Sequence, residues 1–497
     1  MLRSARQVLV GALIAIAFVA CRDPVAPSST NRTIRSVTDE IALSIGENSS
    51  GERSRHLVVF DGDAAPSGFA YRVSALGGAV ISTLDHVGAA VVGGMTGAAV
   101  DELRGMEGIK AIEPDLVLGA KLEALEPAAG EESDVSIESH ASPTAATFYP
   151  RQWNLRAIFA DAAWAAGYLG APDVTAAILD TGIDYLHPDL VGRVDLSRSI
   201  SLLSDPVSDP SDEDALVRSR FPDRNLITDL HSHGTAVSAL IASNDHLLAG
   251  VTQRTTLVAV KVHDRSRRNR ISAYLKGIVY AADQGADVIH LSIPLDSVKH
   301  ENPGLIAAVN RAINYAHREG AVMVAAAGNA ALTGDGDLDH DADRFRFCNA
   351  VHVICVSATG PTSAASVNGP WENPDAVAPY SNFGRSAIDV AGPGGTPASG
   401  AATRVWLVCS QTTVVTGVPP SVCIGGRNLI WSSTGTSFGA AATSGLAALL
   451  VSIMGPDRPE RIKAVIENSA DDLGEPGTDP YYGKGRINVA RAVEMSK

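Results

Sequence analysis

From about residue 148 onward the chain alternates short, wholly apolar runs with longer stretches whose apolar residues recur at helical spacing. The short runs are "DVTAAILD", "TTLVAVKV", "ADVIHLSI", "GAVMVAAAG" and "VHVICVSAT", each bounded by turn residues. Between them lie "HGTAVSALIAS", "ISAYLKGIVYAADQG" and "LIAAVNRAINYAHREG". The last places Ile306, Val309, Ile313 and Ala316 near one face of a helix. Strands that are apolar throughout, alternating with helices, predict an α/β unit with a parallel sheet covered on both sides.

The preceding stretch reads differently. "RHLVVF" predicts a strand, "PSGFAYRVSALG" a helix, "GAVISTLDHVGAAVVGG" two alternating strands, "TGAAVDELRGMEG" a helix and "IKAIEPDLVL" a last strand. This β-α-β-β-α-β order is similar to the ferredoxin-like pattern and predicts a small α+β domain over residues 55–120. Residues 121–147 are acidic and carry Pro, Gly and Ser, as an exposed linker does. At the start, Arg3 and Arg6 precede thirteen uncharged residues, Val8 to Ala20, the layout of an export signal over residues 1–20 and too short for a confident membrane span. "FVAC" resembles a bacterial lipobox, so Cys21 is expected to receive lipid, with residues 21–54 as a flexible tether. Cleavage nearby with full secretion is the alternative.

Charge and cysteine content narrow the class. A net charge of −15, from 40 basic and 55 acidic residues, argues against a nucleic-acid surface. With Cys21 lipidated, Cys348, Cys355, Cys409 and Cys423 remain. An even number in an exported chain predicts two bridges. Three connectivities are open, and nearest-neighbour pairing, Cys348–Cys355 and Cys409–Cys423, is the expectation.

Parallel sheets collect reactive residues at the carboxyl ends of their strands. Asp180 ends "TAAILD", His233 opens the helix of "HSHGTAV", and Ser437 opens another in "GTSFGAA". Singly, each reads as a cap or a strand-end polar residue. Together, beside three Gly/Thr turns, they are the types needed for nucleophilic catalysis: a hydroxyl, a base that titrates near neutrality and a carboxylate to orient it.

In chain order, "AAILDTGID", "HGT" and "GTSFGAA", with "VAAAGNAA" between the last two, resemble the motifs of the subtilisin-like serine proteases over residues 148–494. The resemblance implies a three-layer fold with a mostly parallel central sheet over residues 148–497. It also implies an Asp180–His233–Ser437 triad, an oxyanion hole made by Asn329 and the Ser437 N–H, and protein or peptide substrates. The small first domain would then be a folding-assisting propeptide that inhibits its own enzyme, with the processing bond between Leu118 and Phe148; a permanent accessory domain is the alternative. Substrate would lie along Leu291, Ser292, Ile293 and Pro294 on one side and Ala326, Ala327 and Gly328 on the other. No cofactor is implied for catalysis, and the chain is expected to be a monomer that meets a membrane only through its lipid.

Several positions depart from the pattern. Pro294 replaces a glycine and has no N–H to offer substrate. Ala236 stands where a second histidine is usual, and Ala441 and Ala442 where Pro and His follow the serine. These leave two other readings open: a weakly active subtilase used as a binding module, or a maturation protease dedicated to one exported partner. Structural calcium is expected at Asp189, which matches a family ligand, and at the alternating Asp335, Asp337 and Asp339, where a solvated acidic loop is the alternative. The acidic insertion "SLLSDPVSDPSDEDALVRSR" is expected to be a surface loop.

Overall fold

The computed structural model describes residues 55–119, 130–131, 142–208, 211–292, 297–298, 302–333, 336–339, 344–414, 421–426, 429–456 and 458–497. Cys21, Ile293, Pro294 and Asp335 lie outside the described residues.

Residues 55–114 form an antiparallel sheet with two helices. Strands β1 (Arg55–Phe60), β2 (Ala79–Leu84), β3 (Ala89–Gly93) and β4 (Ile109–Pro114) lie in the order β2-β3-β1-β4, with α1 (Phe69–Ala75) and α2 (Gly97–Arg104) between them in sequence. The period-two alternation of β1 explains how this sheet is used. Val58 and Phe60 pack with Phe69, Val73, Val100 and Leu103 of its own helices. Leu57 and Val59 face the other way and join the core of the large domain. A short strand β5 (Val117–Gly119) follows.

The large domain is built on an eight-stranded sheet. Its parallel strands are β6 (Thr175–Asp180), β7 (Ile200–Ser201), β8 (Thr256–Lys261), β10 (Val288–Leu291), β11 (Val322–Ala326), β12 (Val353–Gly360) and β14 (Val390–Pro393); β9 (Arg268–Arg270) lies outside this sheet. β13 (Ala376–Val377) pairs antiparallel with β12 at one edge. The path is β13-β12-β11-β10-β6-β8-β7, with β14 also on β12. Each central strand is buried on both faces. Ala176, Ile178, Val322 and Val324 face one core, and Ala177, Leu179, Met323 and Ala325 the other. The first core holds α3 (His233–Ile241) and α6 (Thr436–Met454); the second holds α4 (Ile271–Asp283) and α5 (Pro303–Arg318). The result is three layers, helices–sheet–helices. Helix α6 is long and apolar enough to cross a membrane, but it is packed inside this core. Helices α7 (Pro459–Ser469) and α8 (Val489–Met495) close the chain.

One expectation is corrected. The acidic insertion does not run as a surface loop throughout, because Glu213–Arg220 form a helix whose first two residues are buried. Its acidic start and its arginines in the last turn suit the helix dipole. Glu213 is also held by fully buried Lys261 at 3.0 Å and by Arg265 at 3.1 Å, and those long-range partners are invisible in local composition.

Candidate active site

Asp180 is the last residue of β6 and fully buried. His233 is the first residue of α3, and its Nδ1 lies 2.9 and 2.8 Å from the two Asp180 oxygens. Two glycines permit the approach. A Cβ on Gly234 would stand 2.1 Å from the Gly182 carbonyl oxygen, and one on Gly182, at φ 105°, 2.3 Å from that of Ile227. This is why "DTGID" and "HGT" need glycine where they have it. Asp180 Oδ1 also accepts the Thr181 N–H at 2.7 Å. Burial opposes its charge, but His233, its hydrogen bond and more distant basic groups outweigh that and hold the carboxyl well below the usual carboxylate range.

The helix start under His233 is fixed by a residue that motif reading passes over. Buried Asp229 accepts the His231 and Ser232 N–H groups on Oδ1, at 2.9 and 3.0 Å. Its Oδ2 takes the Thr235 N–H and hydroxyl at 2.9 and 2.6 Å. Asp229 stands three residues before the N-cap, Ser232, outside the position where a capping residue is read from sequence, so local pattern does not reveal it. The Cys409–Cys423 segment packs here too, since Ser410 N–H donates to Ser232 Oγ at 3.0 Å and Ser410 Oγ donates to the Asp229 carbonyl at 2.8 Å. The second bridge joins Cys348 and Cys355.

Ser437 is the second residue of α6 and buried. Among the described residues its hydroxyl makes no hydrogen bond, and its neighbour Phe438 has its ring 6.2 Å from that of His233. Asn329 follows β11. Its Oδ1 accepts the Thr436 N–H at 3.0 Å and the Thr436 hydroxyl at 2.9 Å, so the amide carbonyl caps α6. The Nδ2 group is left over, on the side where a Gly435 Cβ would be 3.8 Å away. Asn382 braces the loop from both ends. Its Nδ2 donates to the Ala327 carbonyl at 2.9 Å, and its Oδ1 accepts the Ala330 N–H at 2.8 Å.

Leu291 and Ala325 are partners in the β10–β11 pair, so Leu291–Ser292 and Ala326–Ala327–Gly328 emerge side by side at the carboxyl edge. Behind them, buried His290 shares hydrogen bonds with Ser444 of α6 at 2.9 Å and with Ser292 at 2.5 Å. Burial lowers its pKa to about 4, so it stays neutral. The calcium positions look different from the expectation. Asp189 is fully buried and accepts the backbone N–H groups of His246, Leu247 and Leu248 at 2.7, 2.9 and 3.2 Å. Donors therefore converge where a cation would need oxygens, and the residues present do not fit calcium. Asp337 accepts the Asp339 N–H at 3.0 Å, and Asp339 caps the Arg385–Ser386 turn through 2.6, 3.0 and 2.7 Å contacts.

A carboxylate–imidazole pair and a helix-start serine at the carboxyl edge of a parallel three-layer fold define a class, the serine hydrolases. The subtilase family model matches residues 172–485. Thermitase of Thermoactinomyces vulgaris is 30% identical over 356 residues, covering 71% of this chain and 99% of that protein. The thermophilic serine proteinase of Bacillus sp. (strain AK1) is 30% identical over 345 residues, covering 69% and 67%. In structure, the epidermin leader peptide processing serine protease of Staphylococcus aureus superposes with a TM-score of 0.66 at 20% identity, over 90% of this chain and 99% of that one. The chain belongs to the subtilase family. It is a serine endopeptidase that hydrolyses peptide bonds.

Proposed function

We propose that Ser437 is the nucleophile, His233 the general base and Asp180 the group that orients it, in an exported enzyme made as a self-inhibited precursor. Ser437 Oγ attacks the scissile carbonyl carbon while its proton passes to His233 Nε2. The tetrahedral oxyanion is met by Asn329 Nδ2 and the Ser437 N–H. Collapse expels the amine, which takes the proton from His233, and leaves an acyl-Ser437. Water then repeats the sequence and releases the acid. Asp180 keeps the Nδ1 proton in place and stabilises the imidazolium. The observation that carries this reading is the fully buried Asp180 carboxylate bonded through both oxygens to His233. An ionised group is buried at this cost where it has a charged state to stabilise. Asn329 supports it, because capping α6 with its carbonyl leaves its amide N–H groups free for an anion.

The small domain suits an inhibitor. Its sheet covers α4 and α5, and the strand after it, β5, pairs antiparallel with β9, aligning Leu118 with Asn269. Asp115 accepts the Ser272 N–H and hydroxyl at 3.2 and 2.9 Å, and Arg311 donates to the carbonyls of Phe60 and Val87 at 2.9 and 3.2 Å. An extended strand held along an enzyme's surface strand is how a peptide is bound without side-chain selectivity. Export and lipidation at Cys21 rest on the N-terminal residues alone. The test is N-terminal sequencing and intact mass of the exported wild type beside Ser437→Ala. The reading expects the wild type to lose the small domain, with a new terminus between residues 119 and 148, and the variant to keep it. Identical termini in both would overturn it.

A further inference from the structure

At the amino edge of the sheet, opposite the catalytic edge, three elements bring metal-ligating side chains to one point. His317 lies in the last turn of α5, His352 in the turn that enters β12, and Glu460 in the first turn of α7. His317 Nε2 is 2.9 Å and His352 Nδ1 2.5 Å from the same Glu460 oxygen, and the three ligand atoms lie within 4.8 Å of one another. The two imidazoles stack, with centroids 3.8 Å apart and planes at 21°.

The backbone is shaped for this. His352 holds φ 72°, a conformation that costs a non-glycine residue about 1 kcal/mol or more. It sits inside the loop closed by Cys348–Cys355, which pins the turn. Lys463 of α7 donates to the Val353 carbonyl at 2.8 Å and fixes that helix against the start of β12. A second observation points to a missing ligand. His317 Nε2 is buried and lies 2.9 Å from the Glu460 oxygen without forming a well-aligned hydrogen bond to it.

We infer that His317, His352 and Glu460 form a binding site for a borderline divalent transition metal, with Zn²⁺ the best fit. Two imidazole nitrogens and one carboxylate oxygen are a zinc donor set, whereas calcium and magnesium take oxygens. Zinc–ligand bonds of about 2.0–2.1 Å put ligand atoms about 3.3 Å apart, so admitting the ion takes a turn of one imidazole out of the stack and a rotation of the exposed Glu460 side chain. The site opens on a surface cleft lined by Arg318, Arg458 and Arg461, which leaves room for water as a fourth ligand. The metal would staple α5, the disulfide-closed turn and α7, a stabilising clamp remote from the catalytic edge.

The test uses the full chain carrying Ser437→Ala to suppress self-cleavage, stripped with a chelator and titrated with Zn²⁺, reading bound metal by equilibrium dialysis and Tm by calorimetry. His352→Asn keeps a residue that tolerates the left-handed backbone and removes the imidazole. Glu460→Gln, at an exposed position, keeps the test valid should the first variant fold poorly. The expected result is one zinc fewer per chain, or zinc affinity weaker by about tenfold or more, in each variant, with the zinc-dependent rise in Tm lost. Calcium at equal concentration should give no such rise. Zinc binding and Tm response unchanged in both variants, or an equal response to calcium, would overturn the assignment. In the otherwise unaltered chain, both substitutions should leave zinc-free peptidase activity intact.

Discussion

Asp180→Asn removes one charge and leaves the shape of the site. Asp180 Oδ1 accepts the Thr181 N–H at 2.7 Å, and the carboxylate faces His233 Nδ1 at 2.8–2.9 Å. An asparagine has one oxygen to serve both. With that oxygen on the Thr181 N–H, its NH₂ group faces Nδ1, forces the ring proton to Nε2 and blocks the lone pair that must take the Ser437 proton. The electrostatic loss can be sized. Carboxylate and imidazolium charge centres about 4 Å apart attract by about 4 kcal/mol at an effective dielectric constant of 20, or about three decades of rate. The tautomer error adds to this; loss of the equivalent carboxylate in a subtilisin, about 3 × 10⁴ in kcat, marks the expected limit. Because Asp180 does not touch substrate, the fall should appear in kcat with KM nearly unchanged. Steady-state kinetics on a chromogenic peptide measures both. A loss of less than tenfold in a folded variant, or a loss carried by KM, would refute the reasoning.

Three further outcomes follow from other parts of the fold. Asn382→Ala removes both braces of the Asn329 loop and should lower kcat by tenfold or more, within the limit of about 3 kcal/mol seen when a subtilisin loses an oxyanion donor outright; a kcat left at the wild-type value in a folded variant would contradict the bracing role. Burial raises the Asp115 pKa to about 6 against Ser272, Arg55 and Arg270, which lower it, while an undocked aspartate titrates near ~3.9. Docking of the small domain thus takes up a proton: its contribution is full below pH ~4 and is lost as pH rises through about 6, about two decades in affinity. Hydrogen exchange of residues 55–119 in uncleaved Ser437→Ala, corrected for intrinsic rates, should show looser docking at pH 7.5 than at pH 4.5, and Asp115→Asn should flatten the difference. Lys261→Met strands buried Glu213 with Arg265 alone and should cost about 3 kcal/mol in denaturant unfolding, most of it recovered by adding Glu213→Leu; an unchanged midpoint would contradict the pairing.

The elements that carry the chemistry were legible because each is set by local pattern. "TAAILD" is apolar to its last residue, and the strand ends at Asp180. The helix of "HGTAVSALI" starts at His233, and that of "GTSFGAA" at Thr436, one residue before Ser437. What escaped depends on contacts between distant segments. His290 looks like any strand residue until Ser444 and Ser292 close on it. Asn382 sits in a turn-forming run whose use, bracing Ala327 and Ala330, appears only when β11 and that turn meet. The acidic insertion gave no hint that Glu213 would be drawn inside by Lys261. Asp189 matches a family calcium ligand in sequence, but the short turn at His246–Leu248 presents it with N–H groups instead. Spacing reveals which residues begin and end elements; it does not reveal which way donors point once the chain has folded.

The most direct test of the central claim is covalent trapping of the nucleophile. The folded, processed chain is treated with a fluorophosphonate and its intact mass and peptide map are recorded beside Ser437→Ala and His233→Ala. The account predicts one adduct per chain, on Ser437, absent from Ser437→Ala and strongly slowed in His233→Ala. A folded wild type that takes no adduct, or an adduct on another serine that persists in Ser437→Ala, would contradict it.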